Sequence, residues 1–177
     1  MATTTWVLDP THSEIQFKVK HLMITNVTGS FGTFDASATT ESEDFIGANI
    51  QFSAATGSIS TGNEQRDGHL KSADFFDAEN YPAIQFISTD FSKKEDEEYV
   101  LTGVLNIKGN EKTVSLKVEF GGVAKDPYGN TKAGFTLSGK INRQDFGLTW
   151  SAVTEAGGVL VSDEVKIFAE IQLVLQA

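Results

Sequence analysis

Three histidines, His12, His21 and His69, are the side chains in this 177-residue chain best suited to move a proton or hold a metal near neutral pH. Their spacing argues against a shared ion. Nine residues separate His12 from His21, so on one strand they would face opposite ways and lie roughly 30 Å apart. There is no His-Glu-x-x-His, and no cysteine to supply a thiolate ligand, a nucleophile or a disulfide. Nucleophile-elbow, phosphate-loop and dinucleotide glycine patterns are also missing. No catalytic set, metal or cofactor is expected. The densest polar group is Thr61, Arg66, Asp67 and His69. Arg143 and Asp145 are expected to form a structural pair ahead of the Phe146-Gly147 bend, and His12 with Asp9 and Ser13 to hold a turn.

The elements around these residues alternate with period two, the mark of strands with one dry and one wet face. Ile15, Phe17 and Val19 share a face, as do Leu101, Leu105 and Ile107, with Gly103 among them. Val114, Leu116, Val118 and Phe120 follow the same rule, then Ala133, Phe135, Leu137 and Ile141, then Val165 to Leu175. Lys108-Gly-Asn-Glu111 predicts a tight hairpin, and Asp126-Pro-Tyr-Gly-Asn130 a second turn. Lys93 to Glu98 is expected as a solvated loop and Glu155 to Gly158 as a bend.

Residues 61–82 break the alternation. Thr61-Gly-Asn-Glu64 has the capping-box pattern of a helix start. Ser72 and Asp77 suit the cap of a further helical turn, with Pro82 after it. A short helical lid or plug beside the sheet is the expectation.

Lysine and arginine number 14 and aspartate and glutamate 24, for a net charge of −10. Such a surface repels nucleic acid phosphates and anionic lipid headgroups, so stable docking on either is not expected, and neither a nucleic acid partner nor stable membrane insertion is expected. The first residues lack the charge and apolar stretch of an export signal. The chain as given reads as cytoplasmic, or as periplasmic if a leader has been removed. With no repeat or linker, residues 1–177 read as one domain; a homodimer is left open.

Eight to ten hairpin-joined strands must bury their dry faces in a sandwich or a closed barrel. Thirteen phenylalanines against three tyrosines and two tryptophans, with Gly29, Gly32, Gly103, Gly134 and Gly139 in or beside strands, suit a walled slot. They suit a tapered, filled barrel equally well.

A set of ordered pieces then bears on that choice: Trp6-Val-Leu-Asp9, Phe17-Lys-Val-Lys-His21, Val27-Thr-Gly29 and Arg66-Asp-Gly-His-Leu70. Asp74-Phe-Phe-Asp77, Tyr81-Pro-Ala-Ile-Gln-Phe86, Gly103-Val-Leu-Asn-Ile107 and Ile141-Asn-Arg-Gln-Asp-Phe-Gly147 follow. In order and spacing the chain resembles the YceI-like family, soluble bacterial lipid-binding proteins with a lipocalin-like barrel. The resemblance implies an all-β fold: an extended antiparallel barrel of about eight strands with a helical excursion at 61–82. It implies non-catalytic carriage of a polyisoprenoid or prenyl quinone in an apolar tunnel. Tunnel candidates are Phe17, Val19, Phe31, Phe34, Ile50, Phe52, Phe86, Leu105, Phe120, Phe135 and Ile171. Arg66, Asp67, His69 and His21 are rim candidates, holding a headgroup or, for Arg66 and Asp67, pinning the excursion as an ion pair. An interaction or stress-response protein with a filled barrel, and an enzyme acting on a prenyl substrate, are the alternatives.

At about 0.3 kcal/mol per heavy atom, forty buried carbons would contribute about 12 kcal/mol against water. That is the nanomolar scale. Against a bilayer, which solvates the tail equally well, transfer would be near balanced, as suits a carrier.

Overall fold

The computed structural model describes residues 3–22, 24–41, 45–95, 98–150 and 161–176. Among these residues, eleven strands make one antiparallel sheet. They are β1 (Thr4–Leu8), β2 (Glu14–His21), β3 (Thr25–Phe31), β4 (Phe34–Thr40), β5 (Asn49–Ala55) and β6 (Ile59–Ser60). One helix, α1 (Glu64–Lys71), precedes β7 (Ala83–Glu95), β8 (Glu98–Ile107), β9 (Asn110–Lys125), β10 (Thr131–Asn142) and β11 (Val161–Leu175).

The first three walls of the barrel are each built in two pieces. β1 and β2 both pair with β11, Trp6 opposite Leu175 and Phe17 opposite Ile167, with a 3-10 turn at Pro10–His12 between them. Gly32 and Thr33 separate β3 from β4, and the 3-10 turn Thr56–Ser58 separates β5 from β6. Counted as walls, these pieces and β7 to β11 give a closed eight-stranded barrel. Closure through β1 removes most of the free edge that a sheet of this length would otherwise expose, leaving the two-residue β6 paired on one side, to β3, among the described residues.

The alternation maps onto inside and outside as the sequence predicts. β8 buries every second residue, including Leu101, Leu105 and Ile107. Lys108 and Gly109 both take positive φ, 55° and 78°, as a two-residue hairpin turn requires. In the Asp126 turn the carboxylate accepts the amides of Tyr128 and Asn130, both at 2.9 Å.

Three expectations are corrected here. Lys93 to Glu95 and Glu98 belong to strands, because Lys93 pairs with Tyr99 and Glu95 with Glu98; residues 96 and 97 lie outside the described residues. Helix α1 is capped by Asn63, whose side chain accepts the Arg66 amide at 3.0 Å, and not by Thr61, whose hydroxyl is engaged elsewhere. The further helical turn is absent: Ser72 closes α1, and residues 72–80 form hydrogen-bonded turns with Asp77 at φ 49°. The bend expected at Glu155–Gly158 lies outside the described residues.

One end of the barrel is sealed by rings. Phe45 sits 5.1 Å from Trp6, 5.5 Å from Phe120 and 5.1 Å from Phe135, and Phe120 stacks on Phe135. Phe91 stacks on Tyr99 alongside. Phe45 holds φ at 66°, a conformation that a bulky residue adopts only when its surroundings enforce it; here the enforcing feature is a fully buried ring.

Candidate functional site: two apolar chambers and a polar mouth

Two glycines explain why the other end is hollow. Phe17 lies opposite Gly29, and Phe86 lies beside Gly103; a Cβ on either glycine would collide with the neighbouring ring. Each ring can therefore lie against the wall rather than project along the axis. The space left over forms two chambers.

The mouth chamber holds about 290 Å³ and is walled by Phe17, Val19, Phe31, Phe52 and Leu105 among others. The inner chamber holds about 130 Å³ and is walled by Ile50, Phe52, Phe86, Leu105, Phe135 and Ile171 among others. Ile15, Phe52, Leu105 and Ile167 belong to both and form the neck between them. In place of the expected apolar tunnel stand two chambers with a shared wall, the inner one bounded by Phe135 of the aromatic seal. Phe34 and Phe120 line neither: Phe34 packs on Phe52 at 6.2 Å, and Phe120 belongs to the aromatic seal.

The excursion roofs the mouth. Leu70, Phe75 and Phe76 line the outer chamber, and Phe76 meets Phe31 edge-on at 6.0 Å. Lys108 fastens the roof by donating to the Ala73 carbonyl at 2.8 Å, and Thr56 donates to the Tyr81 carbonyl at 2.8 Å.

His21, Arg66 and His69 stand at the rim; Asp67 turns away from it. Arg66 and Asp67 both reach Thr61 rather than each other, which corrects the expected ion pair. Arg66 donates Nε to the Thr61 hydroxyl at 2.7 Å and Nη2 to its carbonyl at 2.9 Å. Asp67 accepts the Thr61 amide at 2.8 Å and its hydroxyl at 2.6 Å. Between them they lock the chain into α1. His69 pairs with Asp74 at 2.9 Å, and its ring stands edge-on to Trp150 and Phe75.

Arg143 pairs with Asp163, 3.5 Å away, and not with Asp145. It is 3 % exposed and donates to the carbonyls of Leu148, Trp150, Val161 and Ser162. Burial pushes the guanidinium down from its usual range and the Asp163 carboxylate pulls it back. With its donors committed, it ties Leu148 and Trp150 to Val161 and Ser162 beside the mouth.

His12 accepts or donates at 2.8 Å with Asp9, as the turn requires, and lies toward the sealed end, away from His21. Among the described residues, no three His, Asp or Glu side chains gather as metal ligands.

Ile15, Val165 and Ile167 share the parity of the chosen residues and could have been found by extending the alternation. Trp150 and the roof residues carry no such signal.

A YceI-like domain model matches residues 6–173. The chain belongs to the YceI-like family. It is 38% identical over 167 residues to UPF0312 protein SERP2314 of Staphylococcus epidermidis, covering 94% of this chain and 95% of that one. A crystal structure of the Campylobacter jejuni YCEI protein superposes with a TM-score of 0.75 at 33% identity, covering 89% and 90% of the two chains. Burkholderia cenocepacia BcnA shares the fold at a TM-score of 0.79 and 24% identity, over 93% and 98%. A polyisoprenoid binding domain from Saccharophagus degradans shares it at 0.72 and 15%, over 97% and 98%.

Proposed function

We propose that this YceI-like protein binds and carries a long apolar lipid, a polyisoprenoid or prenyl quinone, without chemically altering it. The observation that carries the reading is the pair of apolar chambers in series beneath one polar rim. An unbranched route with a greasy interior and a single wet end fits a molecule with one polar terminus and a long hydrocarbon tail. The family and the polyisoprenoid-binding domain of the same fold support this class of cargo.

The mouth chamber lies near the lower bound of ligand cavities, about 300 Å³. A long tail therefore needs the neck side chains to move aside so that both chambers fill. The polar residues of the mouth support a non-catalytic reading: Arg66, Asp67 and Arg143 are bound to the backbone that they organise. His69, edge-on to two rings, offers a donor or acceptor to a headgroup.

Solvent extraction of the purified protein followed by mass spectrometry tests the proposal, together with uptake of solanesol or ubiquinone by stripped protein. A prenyl lipid recovered or taken up in one-to-one ratio is expected. Stripped protein that takes up neither would overturn it.

A further inference from the structure

Outside the barrel, strand register assembles lysines that the interior does not need. Lys140 on β10 lies directly across from Lys166 on β11, which lies across from Lys18 on β2. Neighbouring strands are about 4.8 Å apart, so this row spans only about 10 Å. All three side chains are exposed, as is Lys20, two residues along β2 on the same face. Phe168, 39% exposed, stands one row away. Beyond Lys20 the turn carries Leu22 and Ile24, 40% and 78% exposed, beside the rim residue His21.

Countercharge is sparse. Glu164 lies 3.3 Å from Lys140, and Asp163 is paired with Arg143. Glu14 and Glu170 face each other four residues further from the mouth. Like charges directly opposite one another weaken a sheet, and an anionic surface would relieve them. This row stands on a chain of net charge −10, so the basic face is a local inversion of the overall field.

We infer that the outer face of β10, β11 and β2 docks on an anionic lipid bilayer, with Leu22 and Ile24 entering the headgroup region beside the mouth. Basic residues adjoining an exposed apolar tip match such an interface on both counts. A nucleic acid or an acidic protein would satisfy the lysines and leave Ile24 in water. The acidic remainder of the surface makes the docking directional: only this face is attracted, and it brings the opening to the lipid. The contact is peripheral and local, and it departs from the expectation that the net charge of −10 sets against docking on anionic headgroups.

Co-sedimentation of the full chain with phosphatidylglycerol–phosphatidylcholine vesicles tests this, with pure phosphatidylcholine as the reference. Association with the anionic vesicles, weakened by salt, is expected. Each lysine contributes about fivefold near such a surface, so Lys18→Gln with Lys166→Gln should weaken it by about 25-fold. Lys125→Gln, exposed at the sealed end, should leave it unchanged, and Ile24→Ser should weaken it with the lysines intact. No association at low salt, equal loss with Lys125→Gln, or indifference to the paired lysine change overturns the inference. So does binding to polyglutamate in place of the vesicles. Thermal melts confirm that the variants are folded. Cargo plays no part in the readout, so docking and lipid carriage can fail separately.

Discussion

Phe52→Ala is the substitution that most directly tests the two-chamber interior. Phe52 is the one aromatic among the four neck residues, and its removal joins the chambers. It is half-buried, so the stability cost is about 2 kcal/mol, below the roughly 3–5 kcal/mol of a fully packed Phe→Ala change. For a chain of this size the melting temperature should fall by about 4–8 °C. Affinity should move the other way for long ligands. A prenyl unit has five carbons, and at about 0.3 kcal/mol per heavy atom each newly seated unit contributes about 1.5 kcal/mol, just over tenfold. Titration with farnesol, geranylgeraniol and solanesol, followed by the fluorescence of Trp150 in the mouth wall, gives the ratio of long-chain to short-chain affinity. That ratio should rise at least tenfold in Phe52→Ala and fall in Phe52→Trp. An equal shift for all three alcohols would show that the neck does not limit entry, and would refute the reasoning.

Arg143→Met should destabilise by about 3 kcal/mol or more, because four carbonyls lose their donor; Arg143→Lys should rescue little, since one ammonium cannot reach all four. Denaturant titration measures both. Gly29→Val should drive the Phe17 ring off the wall, costing about 1–3 kcal/mol and cutting prenyl uptake. Asp9 is held well below the usual carboxylate range, first by the Lys132 ammonium and then by His12 and Thr11. The unfolded chain protonates Asp9 near 3.8, while the folded chain keeps it ionised. Below about pH 5 the unfolded state therefore binds more protons, and this part of the stability is lost as acid is added. Asp9→Asn should cost about 1–2 kcal/mol at pH 7 and flatten the acid limb in melts scanned from pH 7 to pH 3.

The strands were legible because alternation is a local signal, and most inward residues on β8 to β11 announced themselves by parity; that the strands close into a barrel was implied by the family resemblance and not by the pattern. The chamber walls followed for Phe17, Phe52 and Leu105 on the same ground. Phe34 and Phe120 were misplaced because parity shows which face a ring occupies and not its depth along the axis. Depth is set by strand stagger and by Phe45, which belongs to no strand. The partner of Arg143 was missed because Asp145 is near in sequence and Asp163 arrives only when β11 pairs with β10. Thr61 was read as a cap from its spacing to Glu64, whereas the hydroxyl was claimed by the Arg66 and Asp67 side chains.

The pairing of Trp6 with Leu175 has a practical corollary. Thr5 and Gln176 lie side by side at the sealed end, where the Gln176 amide donates to the Thr5 carbonyl at 2.9 Å, so a surface tether or fluorophore attached through either would leave the entrance facing the medium.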